Sequence, residues 1–208
     1  MKRGTFALLI LGLCLAPGGV FGAAGAVSTG IIKGSVTIAG KPTQDAVVSV
    51  EGIAREQIKA EAALKTKKAV MDQRNMKFSP HVLPILVGTT VDFPNHDTTW
   101  HNVYSKGGAK EFDVGLYPPG KSRSATFDKP GISRILCNAH PTMEAFIVVK
   151  EHPFFSGTDK SGNYRLDRVP LGSYRVRVWH PQLGSTEAGV ELLREGQVVD
   201  IDFDLKRK

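Results

Sequence analysis

Apolar and polar residues alternate with a period of two in several segments of this chain. The run "YRVRVWH", residues 174–180, is the clearest case, with Tyr174, Val176 and Val178 on one face and Arg175 and Arg177 on the other. Such alternation marks a strand with one covered face. "IIKGSVTIAG", "AVVSVEG", "TTVDFPN", "SATFD", "EAFIVVK", "GNYRLDRV" and "QVVDIDFDL" also predict strands, separated by Gly- and Pro-containing turns. Many short strands at this spacing predict an all-β protein built from sandwiches. The exception is "IAREQIKAEAALKTKK", residues 53–68, which is rich in helix formers and predicts a short helix or a charged linker.

The order of the pieces suggests that one domain interrupts another. Residues 31–52 carry Gly34, Val36, Gly40, Pro42, Ala46, Val48 and Val50 at strand and turn spacing. Residues 156–179 carry Thr158-Asp159, Gly162, Tyr164, Leu166, Val169-Pro170, Gly172, Tyr174, Val176 and Val178. Together these segments resemble the two halves of the carboxypeptidase regulatory-like, or transthyretin-like, β-sandwich. In that family the halves follow one another closely, whereas here about 100 residues intervene, as when a domain is inserted at a surface loop. The expected organisation is a discontinuous outer sandwich at 30–55 and 151–206, a helical or charged linker at 56–68, and an inserted domain at 69–150. The alternative is two tandem domains with an isolated N-terminal hairpin, but two strands alone are marginally stable.

The N-terminus and the cysteines change the picture next. Lys2 and Arg3 precede an apolar run from Phe6 to Leu15 and then small residues, the order of a secretory signal peptide, here taken as 1–24. The run is too short to span a bilayer, which needs about 20 residues. Leu13 before Cys14 disfavours a lipoprotein signal. The expected location is therefore periplasmic or secreted, with no membrane span. Removing Lys2 and Arg3 from 27 basic residues leaves 25 against 20 acidic, a net charge of +5. The basic residues are dispersed without an aromatic platform, which gives no indication of nucleic-acid binding. Cys14 leaves with the signal, so Cys137 has no partner. An unpaired thiol in an oxidising compartment needs burial, catalysis or a metal to protect it.

The inserted segment supplies that protection. "LCNAHPTM", residues 136–143, places Cys137, His140 and Met143 three apart, directly before the strand "EAFIVVK". Upstream, "FSPHVLPILVGTTVDFPN" is followed by His101-Asn102-Val103. A soft thiolate suits Cu(I), imidazole suits both oxidation states, and a weak thioether completes a blue-copper set. These residues resemble the cupredoxins, and the compact ligand loop is most similar to that of amicyanin. The resemblance implies a Greek-key cupredoxin sandwich holding one type 1 copper through His101, Cys137, His140 and an axial Met143. It also implies that Asn102 hydrogen-bonds across the ligand loops. Pro141 restricts the backbone directly after His140.

Each of these residues has an ordinary reading by itself: Cys137 as a buried apolar residue, Met143 as core filler, His101 as a satisfied core or surface histidine. Their conjunction at this spacing favours the metal. Zinc is the chemical competitor but seldom uses a thioether. His96 and His81 are weaker metal candidates, His152 and His180 are expected on the surface of the outer sandwich, and Trp100 packs either over the site or into the core. Phosphate-binding glycine loops, a G-x-S-x-G elbow and H-E-x-x-H are missing, and four protein ligands leave no open position for substrate. The expected function is that of an exported, monomeric, non-enzymatic electron carrier. Its partners would be a redox donor and acceptor, such as a c-type cytochrome or a dehydrogenase. The outer sandwich would position the carrier against a partner or the cell envelope. The alternatives are copper storage, delivery or sensing, and a non-redox envelope binding module.

Overall fold

The computed structural model describes residues 27–62 and 68–206, so the expected signal peptide at 1–24 and the 63–67 part of the linker lie outside the described residues. Among the described residues nearly all regular structure is β, the exception being one helix, Arg55–Ala62. Its sequence, "REQIKAEA", lacks β-branched residues apart from Ile58, and Glu56 lies in its first turn, where the helix dipole favours an acid.

The inner sandwich packs a five-stranded sheet against a three-stranded one. The larger sheet runs in the order Phe112–Tyr117, His101–Ser105, Gly131–Leu136, Glu144–Lys150, Val82–Leu86; the smaller is Ser122–Phe127, Thr89–Pro94, Lys68–Val70. A hairpin, Asp72–Arg74 with Lys77–Ser79, lies beside them. Alternate side chains enter the core, as in Thr89–Pro94, where Thr89, Val91 and Phe93 are buried and Thr90, Asp92 and Pro94 less so. Met71, Phe93, Val103, Tyr117, Phe127, Ile135, Ala145 and Ile147 fill the space between the sheets.

The two ends of the chain build the outer sandwich around this unit. Thr29–Ile38 pairs antiparallel with Asn163–Pro170, and parallel with Val198–Asp200 and Phe203–Leu205. Opposite it, Phe155–Gly157, Val47–Glu51, Gly172–His180 and Gly184–Leu192 form a four-stranded sheet. Val36, Val48, Val50, Leu166, Val176, Val178 and Leu192 make a core of their own.

The sandwiches meet along Glu144–Lys150. Its inward side chains, Ala145, Ile147 and Val149, belong to the inner core. Its outward Val148 joins Val47 and Val82 in a small cluster, with Phe146 and Trp179 packed against it. The Phe146 and Trp179 rings meet edge to face, centroids 5.7 Å apart. Lys150 Nζ reaches Glu51 at 2.9 Å and His81 Nδ1 reaches Asp45 Oδ2 at 2.9 Å across the same boundary. A strand covered on both faces reads as an unbroken apolar run, and "AFIVV" is one.

His152 and His180, expected on the surface, are instead buried. His180 follows Val176 and Val178 on the inward face of its strand, accepts the Gln182 N–H at Nδ1 (3.3 Å), and approaches Thr43 Oγ1 at 3.5 Å. Burial lowers the pKa of both rings below the ordinary histidine value, with Lys150 a further cause at His152.

Candidate metal centre

The site forms where two chain segments reach the same end of the larger inner sheet. The first is the loop before His101, which winds around fully buried Asn95. Asn95 Oδ1 accepts the Asp97 N–H (3.0 Å), and its Nδ2 donates to Thr99 O (2.9 Å). Asn side chains stabilise local turns by such bonds to nearby backbone. His101 opens the next strand with its side chain fully buried, opposite Tyr117 in the adjacent strand.

The second segment is the loop between Gly131–Leu136 and Glu144–Lys150. Cys137 leaves the strand pointing inward, 2% exposed. His140 O accepts the Met143 N–H at 2.9 Å, closing a four-residue turn with Pro141 in the position whose fixed φ suits it. Asn102 Oδ1 accepts the Asn138 N–H at 2.6 Å, and its Nδ2 donates to Asp113 Oδ1 at 3.3 Å. The residue next to His101 therefore ties down the loop carrying Cys137 and His140.

Cys137 Sγ lies 3.8 Å from His101 Nδ1 and 4.0 Å from His140 Nδ1, and the two ring nitrogens are 3.0 Å apart. Among the described residues this is the one group of three or more His, Cys, Asp and Glu whose donor atoms converge. The point equidistant from the three atoms lies in their plane about 2.1 Å from each, close to the roughly 2.0–2.3 Å of metal–imidazole and metal–thiolate bonds. One ion fits there in a trigonal setting, and the soft sulfur with two imidazoles is the donor chemistry of copper. Met143 is 1% exposed and belongs to the same buried cluster as Cys137. His101 is closed off from solvent, while His140 is half-buried and flanked by exposed Ala139, Pro141 and Thr142.

Hydrogen bonds surround these groups. His101 Nε2 lies 3.1 Å from Asp97 Oδ2, the same oxygen that accepts the Met76 N–H at 2.6 Å. That amide is the leading reason the Asp97 carboxyl sits below the ordinary carboxylate range, with the His101 contact adding to it. Tyr117 is fully buried; its hydroxyl donates to Phe93 O (2.8 Å) and accepts from Gln73 Nε2 (2.5 Å). Burial pushes its pKa up to about 12.

The weaker candidates lie elsewhere. His96 Nδ1 pairs with Asp72 Oδ1 at 2.7 Å, and His81 pairs with Asp45 across the sandwich boundary. Trp100 turns outward, 52% exposed. Asp97 is the neighbour that the sequence pattern did not single out, since a place four residues before His101 within a loop fixes no contact.

Residues 65–150 match the family model described as copper binding proteins, plastocyanin/azurin family. A purple cupredoxin from Nitrosopumilus maritimus is 26% identical, over 39% of this chain and 99% of its own, with a TM-score of 0.37. A copper-containing nitrite reductase from Thermus scotoductus is 30% identical, over 43% of this chain but 24% of its own, with a TM-score of 0.40. A variant of amicyanin in its Cu(I) form is 23% identical, over 50% of this chain and 98% of its own, with a TM-score of 0.38. No curated protein matches the sequence.

Proposed function

We propose that residues 65–150, which match the copper-binding plastocyanin/azurin family model, form a cupredoxin domain that carries single electrons between redox partners on one type 1 copper. The observation that carries the reading is the triangle of Cys137 Sγ, His101 Nδ1 and His140 Nδ1 around one point. His101, Cys137 and His140 would hold the ion and Met143 would serve as the weak axial donor. Copper bound there supplies one-electron exchange between Cu(II) and Cu(I).

The protein's own residues supply the rest. Asn102, tied to Asn138, keeps the two ligand segments in register, so the donors need not move when charge changes. The fully buried His101 and nearly buried Cys137 exclude water from the inner side. Half-buried His140, with exposed Pro141 beside it, gives electrons a short route to a docked partner. Four protein donors leave no position for a substrate, which favours a carrier over a catalyst.

The partners under this proposal are a protein donor and a protein acceptor, for example a dehydrogenase and a c-type cytochrome. The N-terminal pattern and the lone thiol support export to the periplasm or beyond. Among the described residues no helix is long and apolar enough to cross a membrane. The outer sandwich is proposed to be a carboxypeptidase regulatory-like module that positions the carrier.

Addition of Cu(II) to the purified mature protein should produce an intense visible thiolate-to-copper band. Cys137→Ser should abolish that band while leaving the β-rich circular dichroism intact. A wild-type protein that binds no copper overturns the proposal. A colour without a reversible potential or rapid self-exchange points to storage or delivery instead.

A further inference from the structure

Asp97 offers no donor to the triangle, yet its carboxylate touches one of the rings that does. Oδ2 lies 3.1 Å from His101 Nε2, on the side of the ring away from Cys137. The carboxylate cannot swing freely: Met76 N–H donates to Oδ2 at 2.6 Å, and Thr98 N–H donates to Oδ1 at 3.1 Å. Its own N–H is held by Asn95 Oδ1. The Asp97 side chain is 11% exposed and that of His101 is fully buried, so water competes little for this contact.

The Met76 amide reaches Asp97 through an uncommon backbone. Asn75 and Met76 both have positive φ, 54° and 55°, at the tip of the Asp72–Arg74/Lys77–Ser79 hairpin. Asn tolerates that region, whereas a long side chain such as Met seldom occupies it. The hairpin thus delivers one N–H to the oxygen that faces His101.

We propose that Asp97 is a positioning residue for the copper centre, an inference that rests on the type 1 reading above. Asp97 keeps the His101 proton on Nε2, which leaves the Nδ1 lone pair bare and aimed at Cys137 and His140. Its negative charge, directly behind a buried ligand ring, favours the more positive Cu(II) state over Cu(I). A carboxylate in this place fixes the tautomer as a carbonyl would, but adds charge that a carbonyl lacks.

Two variants separate these effects. Asp97→Asn keeps an oxygen for the Nε2–H and removes the charge; it should shift the balance toward Cu(I) by about tenfold, an upward move of about 59 mV for a one-electron couple. Asp97→Ala removes the acceptor as well and should weaken Cu(II) affinity by about 10–100-fold. In the metal-free wild type the nitrogen chemical shifts of the His101 ring should be those of protonated Nε2 and bare Nδ1, and in metal-free Asp97→Ala they should move toward a mixture of tautomers. A wild-type potential in Asp97→Asn, or wild-type ring shifts in metal-free Asp97→Ala, overturns the proposal. The ring measurement needs no copper, so it judges Asp97 even if the wild-type protein fails to take up the metal.

Discussion

Asn102 Oδ1 accepts the backbone N–H of Asn138 at 2.6 Å, joining the strand that begins at His101 to the loop that carries Cys137 and His140. The two residues are 36 positions apart, and this bond makes two distant segments act as one cradle.

Asn102→Ala removes that tie and leaves the Asn138 amide without its partner. Losing a buried hydrogen-bond acceptor costs about 1–3 kcal/mol. The variant should unfold at lower denaturant concentration and release copper about 10–100-fold more readily, as expected when a ligand's supporting contact is lost. Equilibrium unfolding and competition with a copper chelator measure the two effects.

Trp179→Ala should loosen the boundary between the sandwiches without touching the metal centre. Trp179 packs edge to face on Phe146 and covers the Val47, Val82 and Val148 cluster. The ring is only partly buried, so a cost of about 1–3 kcal/mol is expected, below that of a fully buried aromatic. Chemical denaturation should show the loss while the visible copper band stays in place. Deleting the whole of 156–208 would be a harsher change, because it uncovers Phe146 and Val148.

Tyr117→Phe should destabilise by about 1–2 kcal/mol, since Phe93 O loses its donor and Gln73 Nε2 loses one acceptor in a buried place. Thermal unfolding of the metal-free protein provides the measurement, and Gln73 retains Pro94 O at 3.2 Å as partial compensation.

Stability should fall as the medium is acidified below pH about 6.5, in a window set by His152 and His180. Burial lowers both pKa values in the folded protein from 6.5. Lys150 opposes protonation of His152, while Glu51, Glu151 and a bond to the Val50 backbone favour it. Asp45 favours and His81 opposes protonation of His180. The unfolded chain therefore takes up these protons first: the neutral rings contribute fully above the unfolded value, and that contribution is lost as pH drops toward the folded ones. Replacing both with Gln should flatten the dependence just below pH about 6.5. Glu51, Asp97, Asp202 and Asp204 have lowered pKa values, so their contribution is full above the unfolded carboxyl range and disappears at lower pH. Denaturant titrations of the metal-free protein across pH 4–8 resolve the two windows.

Much of this was legible where the information is local. Cys137, His140 and Met143 lie in one short loop, so their spacing alone revealed it. Strand alternation gave the all-β class, and the unbroken run "AFIVV" already carried the sign of a strand covered on both sides. His180 was also legible, since it follows Tyr174, Val176 and Val178 in the same period of two, yet its residue type suggested a surface place. Asp97 was not, because its orientation depends on the amide of Met76, 21 positions earlier, at the tip of another hairpin. His152 lies beyond the strand end, where no period applies, and only packing against the outer sandwich buries it.

Beyond a short local pairing with Lys41–Pro42, Thr29–Ile38 finds its neighbours at Asn163–Pro170, Val198–Asp200 and Phe203–Leu205, far along the chain. As the polypeptide emerges, everything needed for the copper-holding unit is present before those neighbours appear. Pairings so remote in sequence form slowly, because a long loop must close before they are rewarded. The N-terminal strand must wait, like one half of a clasp, until the last residues arrive to shut it around an already assembled centre.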